Sequence, residues 1–137
     1  MTPTLIKHAE EGFSALNCID RLVSEVTERV TKSHIGIGHT RWATCGEKVT
    51  KNAHPHFSSD RSTYIVHNGI IGGYNKIKTN LLPHVNFNSE TDSEVVAHLI
   101  EKFKREGFSV LESVKKTECV MKSNSDKPQW GIVIIDQ

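Results

Sequence analysis

No stretch of this 137-residue chain approaches the roughly 20 consecutive apolar residues that a membrane-spanning helix needs. Neither sign of charge is in excess: 17 Lys and Arg stand against 16 Asp and Glu. A nucleic-acid face or a membrane-surface module needs a basic surplus, so no nucleic acid and no membrane are expected as partners. Cysteine is scarce. Cys18, Cys45 and Cys119 are an odd number at wide spacing, which fits neither a disulfide framework nor a zinc site. They read as reduced thiols of the cytosol. The start carries no secretory pattern, because Lys7, His8, Glu10 and Glu11 interrupt any apolar stretch. Internal repeats and low-complexity tracts are missing as well.

What is present is ordinary in bulk and unusual in one place. Hydrophobic residues at 36% and charged residues at 24% describe a soluble globular chain, long enough for one domain with a real core. The eight histidines are many for this length. Four of them, His39, His54, His56 and His67, fall within one short stretch, the first sign of a site.

The apolar spacing predicts a helix over 9–31, with Ala9, Phe13, Leu16, Ile19, Val23, Val26 and Val30 at steps of three and four. Residues 34–43 predict a strand, interrupted by Gly36 and Gly38. The polar stretch 44–61 predicts a long loop. Residues 63–67 predict a second strand that Asn68-Gly69 breaks, followed by a helix from Tyr74 to Leu82 that Pro83 closes. The strongest helical pattern covers 90–106: Thr91 and Glu94 form a capping box, Val95, Val96, Leu99, Ile100 and Phe103 one stripe, and Gly107 the stop. A weaker helix over 109–121 and a polar loop over 122–129 follow. The run Trp130 to Ile135 predicts a central strand buried on both faces.

The chemistry collects at the ends of these elements. Arg41 and Trp42 close one predicted strand, Asn68 and Gly69 the next, and Asp92 falls in a helix's first turn. If the two strands are neighbours, these ends meet on one rim. Arg41 could then hold a carboxylate bidentately and Asp92 an ammonium, a clamp for an amino acid's head group. Asn68 and the Gly69 N–H would be two donors at a bend, the make-up of an oxyanion hole. Each piece alone also has a plain structural reading. Arg41 could be a surface ion-pair partner, Asp92 a helix-dipole residue and Asn68-Gly69 a turn. His54-x-His56 could suggest a metal, but no third and fourth ligand has suitable spacing, so no metal or other cofactor is expected.

Four segments in order change the weight of these pieces: His39-Thr40-Arg41-Trp42-Ala43-Thr44, Asn52-Ala53-His54-Pro55-His56, Val66-His67-Asn68-Gly69-Ile70-Ile71 and Ser89-Glu90-Thr91-Asp92-Ser93-Glu94-Val95. From Gly36 to Asp136 the chain resembles the glutaminase domain of the glucosamine-6-phosphate synthases (glutamine:fructose-6-phosphate amidotransferases). These belong to the class II, N-terminal-nucleophile glutamine amidotransferases. The resemblance implies an α+β fold, part of an αββα N-terminal-nucleophile-hydrolase sandwich. It implies a partial glutaminase domain over 34–137, while residues 1–33, an N-terminal helical segment by their apolar period, have no clear match to the family's first strands. It implies hydrolysis of L-glutamine to supply ammonia for glucosamine 6-phosphate synthesis, in the cytoplasm. It places Arg41 on the α-carboxylate of glutamine, Asp92 on the α-amino group, and Asn68 and Gly69 in the oxyanion hole. Trp42 would belong to the loop closing over the substrate, with Thr44 and His54 lining the pocket and His56 near it.

The family's nucleophile is a Cys at the mature N-terminus, heading a Cys-Gly-Ile strand. Residues 1–137 show no such strand, opening on Met1-Thr2-Pro3. Cys45 stands where the family usually has His and lacks an α-amine to activate it, so it reads as a bystander. The expectation is a chain that needs partners: the rest of the glutaminase domain, or a sugar-phosphate isomerase domain. By itself it would not turn glutamine over. The alternative expectation is a non-catalytic glutamine-binding or partner-binding module.

Overall fold

The computed structural model describes residues 3–9, 15–29, 33–126 and 128–137. Its centre is a strand of β-branched and aromatic residues, β2 (Thr63–Gly69), which reads TYIVHNG. A two-residue strand, β1 (His56–Phe57), pairs with one edge of β2, and β3 (Trp130–Asp136) with the other, both antiparallel. In register, Ile65 faces Ile134 and Gly69 faces Trp130. With the helices this is an α+β arrangement: α1 (Ala15–Arg29), α2 (Tyr74–Leu81), α3 (Glu94–Arg105) and α4 (Val110–Ser123).

The core lies on one face of the sheet. Ile65 packs there with Ile71, Ile77 and Leu82 and with the α3 stripe Val95, Val96, Leu99 and Ile100, and Met121 of α4 closes the cluster. Trp130, Ile132 and Ile134 lean on it from β3. The other face, with Tyr64 and Ile135, looks into a cavity of about 1030 Å³. Residues 3–9, residues 33–43 and the Cys18, Ile19, Leu22 and Val26 side of α1 complete that cavity wall.

Several expectations from the sequence need correction. Residues 34–43 belong to no strand, and no neighbour pairs with them among the described residues. A run with two glycines supplies little packing of its own to hold such a pairing. β3 is an edge strand, not a central one: its side chains alternate in burial, and Val133 is 54% exposed. Its apolar run serves two surfaces, one in the core and one at the large cavity. The long loop contains a 3-10 turn (Thr50–Asn52) and β1, and it is pinned by a fully buried residue. Asn52 Nδ2 donates to the Glu47 carbonyl and the Glu90 carboxylate, and its Oδ1 accepts from the Glu90 N–H.

Helix α3 begins four residues later than the pattern implies, and the Thr91/Glu94 capping box does not form. Glu94 instead accepts from the Asn88 N–H at 2.8 Å and from the Ser89 N–H at 2.7 Å. Burial pushes the Glu94 carboxyl up. Hydrogen bonds from His98, Ser89 and the Asn88 and Ser89 amides outweigh it and hold the carboxyl down at about 2. The true capping box is Ser109 with Glu112 at the head of α4. Gly107, at φ +93°, stops α3 as expected, and Phe108 N–H returns to the Phe103 carbonyl. Helix α4 runs two residues past the expected end. Of the long N-terminal stripe, Leu16, Ile19, Val23 and Val26 lie on α1, Ala9 precedes the helix, and Phe13 and Val30 lie outside the described residues.

Candidate functional site

Two chain ends carry the site: the end of β2 and the turn before α3. Asn68 and Gly69 are the last two residues of β2. Gly69 has φ +134°, and a Cβ built there would stand 2.5 Å from the Gln129 carbonyl oxygen. Only glycine fits, which is why Asn-Gly ends the strand without turning it into a hairpin. The chain then bends to Ile71, whose buried N–H donates to Asp92 Oδ2 at 2.7 Å. Asp92 is 3% exposed and sits two residues before α3 rather than in its first turn.

Segment 33–43 reaches the same rim by side chains, not by strand pairing. His39 Nε2 donates to Asn68 Oδ1 at 3.3 Å. Arg41 folds over the loop that follows it. Its guanidinium donates to the carbonyls of Cys45, Gly46 at 3.4 Å and Glu47 at 3.2 Å. These bonds hold the guanidinium plane and leave further N–H groups of the same fork for a ligand.

The result is a small cavity of about 160 Å³. At about 30 Å³ for each water in the liquid, that is room for several waters or one amino-acid-sized ligand. Every site residue expected from the sequence lines it: Arg41, Trp42, Thr44, His54, Asn68, Gly69 and Asp92. Trp42 is 89% exposed, so its ring stands at the rim and not inside. His56 lies behind the wall, buried, with Nε2 at 3.1 Å from Thr91 Oγ1. Cys45 lines the cavity, and its thiol is pushed up, first by burial and then by the Asp92 charge.

The histidines form one packed group. The His39 and His54 rings lie 4.3 Å apart between centroids, and the His54 and His56 rings 4.6 Å apart. His54 Nδ1 accepts the His67 backbone N–H, so its proton sits on Nε2. Burial, then the neighbouring His56, His39 and His67, lowers His54 to about 2. Burial lowers His56 to about 3, with Lys7 and Arg41 adding to it. The His54 and His56 rings are therefore neutral packing and hydrogen-bonding elements near pH 7. No group of three or more His, Cys, Asp or Glu among the described residues is arranged to hold a metal ion.

Sequence reasoning gave no role to the lining residues Ile70, Thr91 and Ser93. Ile70 follows Gly69 in its quoted segment, and Thr91 and Ser93 flank Asp92 in the quoted SETDSEV segment, so adjacency was the signal available. No helix of the described residues is long and apolar enough to cross a membrane.

Comparison with known proteins shows the family. The profile of the glutamine amidotransferase domain family matches residues 16–115. The chain belongs to that family. It is 42% identical over 130 residues to a glutamine–fructose-6-phosphate aminotransferase (isomerizing) of Halalkalibacterium halodurans, covering 93% of this chain and 21% of the relative. The same-named protein of Streptococcus mutans is 53% identical over 81 residues, covering 59% of this chain and 13% of the relative. That of Aliivibrio fischeri is 38% identical over 134 residues, covering 94% of this chain and 21% of the relative. These matches bear out the resemblance to the glutaminase domain of glucosamine-6-phosphate synthases drawn from the four motifs. The chain spans about a fifth or less of the length of the curated relatives it matches.

Proposed function

We propose that this chain carries the glutamine pocket of a glutaminase domain. In that role it serves an amidotransferase that hydrolyses glutamine and passes the ammonia to glucosamine 6-phosphate synthesis. The observation that carries the reading is the convergence of Arg41, Asn68, Gly69 and Asp92 on one small cavity. In this reading Arg41 takes the α-carboxylate through charge-assisted bonds, and Asp92 takes the α-ammonium. The oxyanion of the tetrahedral intermediate meets Asn68 Nδ2 and the Gly69 N–H. The His39 bond supports this assignment, because it occupies Asn68 Oδ1 and turns the amide's donor end the other way. Trp42 covers the ligand from the rim, and Thr44 and His54 complete the wall.

Cys45 is a poor attacking group, since its thiol is held up by burial and by Asp92. We assign the attacking thiolate to the rest of the glutaminase domain, outside residues 1–137. The same division makes 34–137 the pocket-bearing part and 1–33 a helical segment beside it. The apolar face at Tyr64 and Ile135 is the face on which the second sheet of an αββα sandwich would stack. The much greater length of the relatives supports a sugar-phosphate isomerase domain as a further partner. Three free thiols accord with a cytoplasmic place.

Calorimetric titration with L-glutamine tests the reading. Saturable binding is expected, with Arg41→Ala and Asp92→Asn each weakening it by at least about tenfold. D-glutamine, which cannot meet both charges and still place its side-chain amide at Asn68 and Gly69, should not bind. Binding that survives Arg41→Ala unchanged would refute the assignment. A non-catalytic glutamine-binding module is the second reading, favoured by the protonated Cys45 as the cysteine lining the cavity. Ammonia release on joining a Cys-Gly-Ile strand ahead of the chain decides between them.

A further inference from the structure

His67 is a group of the pocket wall that the proposed function leaves without a role. It sits on β2 two residues before Gly69, on the same face, and it is 4% exposed. Its Nδ1 lies 2.8 Å from Ser93 Oγ. Ser93 Oγ in turn donates to Asp92 Oδ1 at 3.4 Å. A carboxylate only accepts, so the single Ser93 proton goes to Asp92 and its lone pair takes a proton from His67. That places the imidazole hydrogen on Nδ1 and a bare lone pair on Nε2. This Nε2 is buried without a hydrogen-bond partner among the described residues, and His67 lines the small cavity. Nε2 stands 3.1 Å from the point where a Gly69 Cβ would be, which puts it beside the proposed oxyanion donors. An unpaired buried acceptor costs free energy, and a ligand N–H recovers it.

We propose that His67 is the specificity-determining residue that selects a carboxamide over a carboxylate in this pocket. The inference rests on the glutamine reading above. A side-chain amide presents one oxygen and one NH2 group. The oxygen meets Asn68 Nδ2 and the Gly69 N–H, and the NH2 donates to His67 Nε2. The γ-carboxylate of glutamate has no hydrogen to offer, so one of its oxygens would face the Nε2 lone pair. Burial lowers the His67 pKa, with the neighbouring His39 also lowering it and Asp92 opposing, so the ring stays neutral and keeps that lone pair. The product of glutamine hydrolysis is therefore rejected by the same atom that receives the substrate.

Two measurements on the full chain test this. Imidazole 15N shifts should show His67 as the Nδ1–H tautomer, and an Nε2–H tautomer would overturn the proposal. Calorimetry with L-glutamine and L-glutamate should give a preference for glutamine of at least about a hundredfold, as sites built around a ligand N–H do. His67→Leu should bring the two affinities within about threefold, since the selecting acceptor is gone. Ser93→Ala keeps the ring and guards against a folding defect. It frees the tautomer and should lower the preference by about tenfold. An unchanged preference in both variants overturns the role of His67 while leaving the glutamine pocket standing. No saturable glutamine binding in the unaltered protein overturns the pocket reading, and this inference falls with it.

Discussion

The two faces of the sheet are built on opposite terms. On one, Ile65 of β2 meets a helix, α3, whose stripe is fully buried, and α2 and α4 close around it. On the other, Tyr64 and Ile135 look across an open cavity toward α1 and residues 33–43. Leu16, Val23, Ile35 and Trp42 are all exposed on that side. Polar ties do the holding there: Thr50 Oγ1 bonds both the N–H and the carbonyl of Ala9, and His8 pairs with Glu25 at 2.9 Å. The first face is held by burial, which scales with apolar area, and the second by a few hydrogen bonds of modest net worth. The candidate pocket sits on the seam. Asp92, Asn68, Gly69 and His67 come from the packed side, and Arg41, Trp42 and Thr44 from the looser one. In the proposed role, the acceptors and oxyanion donors stand on the packed side and the carboxylate clamp on the segment with fewer apolar contacts.

The sharpest way to break this comparison is to cut one apolar side chain from each side. Ile100→Ala opens a hole in the core and should cost about 3 kcal/mol in urea unfolding. Val23→Ala, on exposed α1, should cost about 0.5 kcal/mol or less. Equal costs would mean that the second face is as tightly packed as the first. A smaller effect separates two glycines. Gly69→Ala forces a Cβ against the Gln129 carbonyl at φ +134° and should cost about 1–3 kcal/mol. Gly38→Ala meets open space and should stay within about 0.5 kcal/mol. The last effect is on a slope. His54 and His56 titrate lower in the fold than unfolded, so the unfolded chain binds more protons as pH falls below 6.5. The stability these rings support is complete above that pH and drains away toward about 3. Unfolding curves from pH 7 to 4 should therefore shift steadily to lower urea. His56→Gln should flatten the shift by about one proton per molecule.

The packed side was the legible one. The α3 stripe at Val95, Val96, Leu99 and Ile100 is a strong helical period, and burial follows from it directly. Gly107 as a stop and the TYIVH strand were equally plain. The failures cluster on the other side. HIGIGHTRWA alternates like a strand, yet a strand exists only where a partner offers its hydrogen bonds, and that partner is not in the run itself. WGIVII is apolar throughout, but the sheet order β1-β2-β3 puts it at an edge. The packed side misled once: the pattern put Asp92 in a helix's first turn, but α3 starts two residues later, Glu94 turns away to Asn88 and Ser89, and no local pattern distinguishes that use from a capping box.

The sequence by itself determined the family and which residues the pocket gathers. Arg41, Asn68, Gly69 and Asp92 stand in motifs that occur in one order, and all four line one cavity. What only the tertiary structure decided is which atoms of that pocket remain unpaired. Ser93 Oγ stands 2.8 Å from His67 Nδ1, 26 residues away in sequence. The Cys45 thiol is pushed up by partial burial and by the charge of the distant Asp92. Arg41 is held by three carbonyls of the loop that follows it. Hydrogen bonds fall off too steeply with distance and angle for sequence spacing alone to report such pairings.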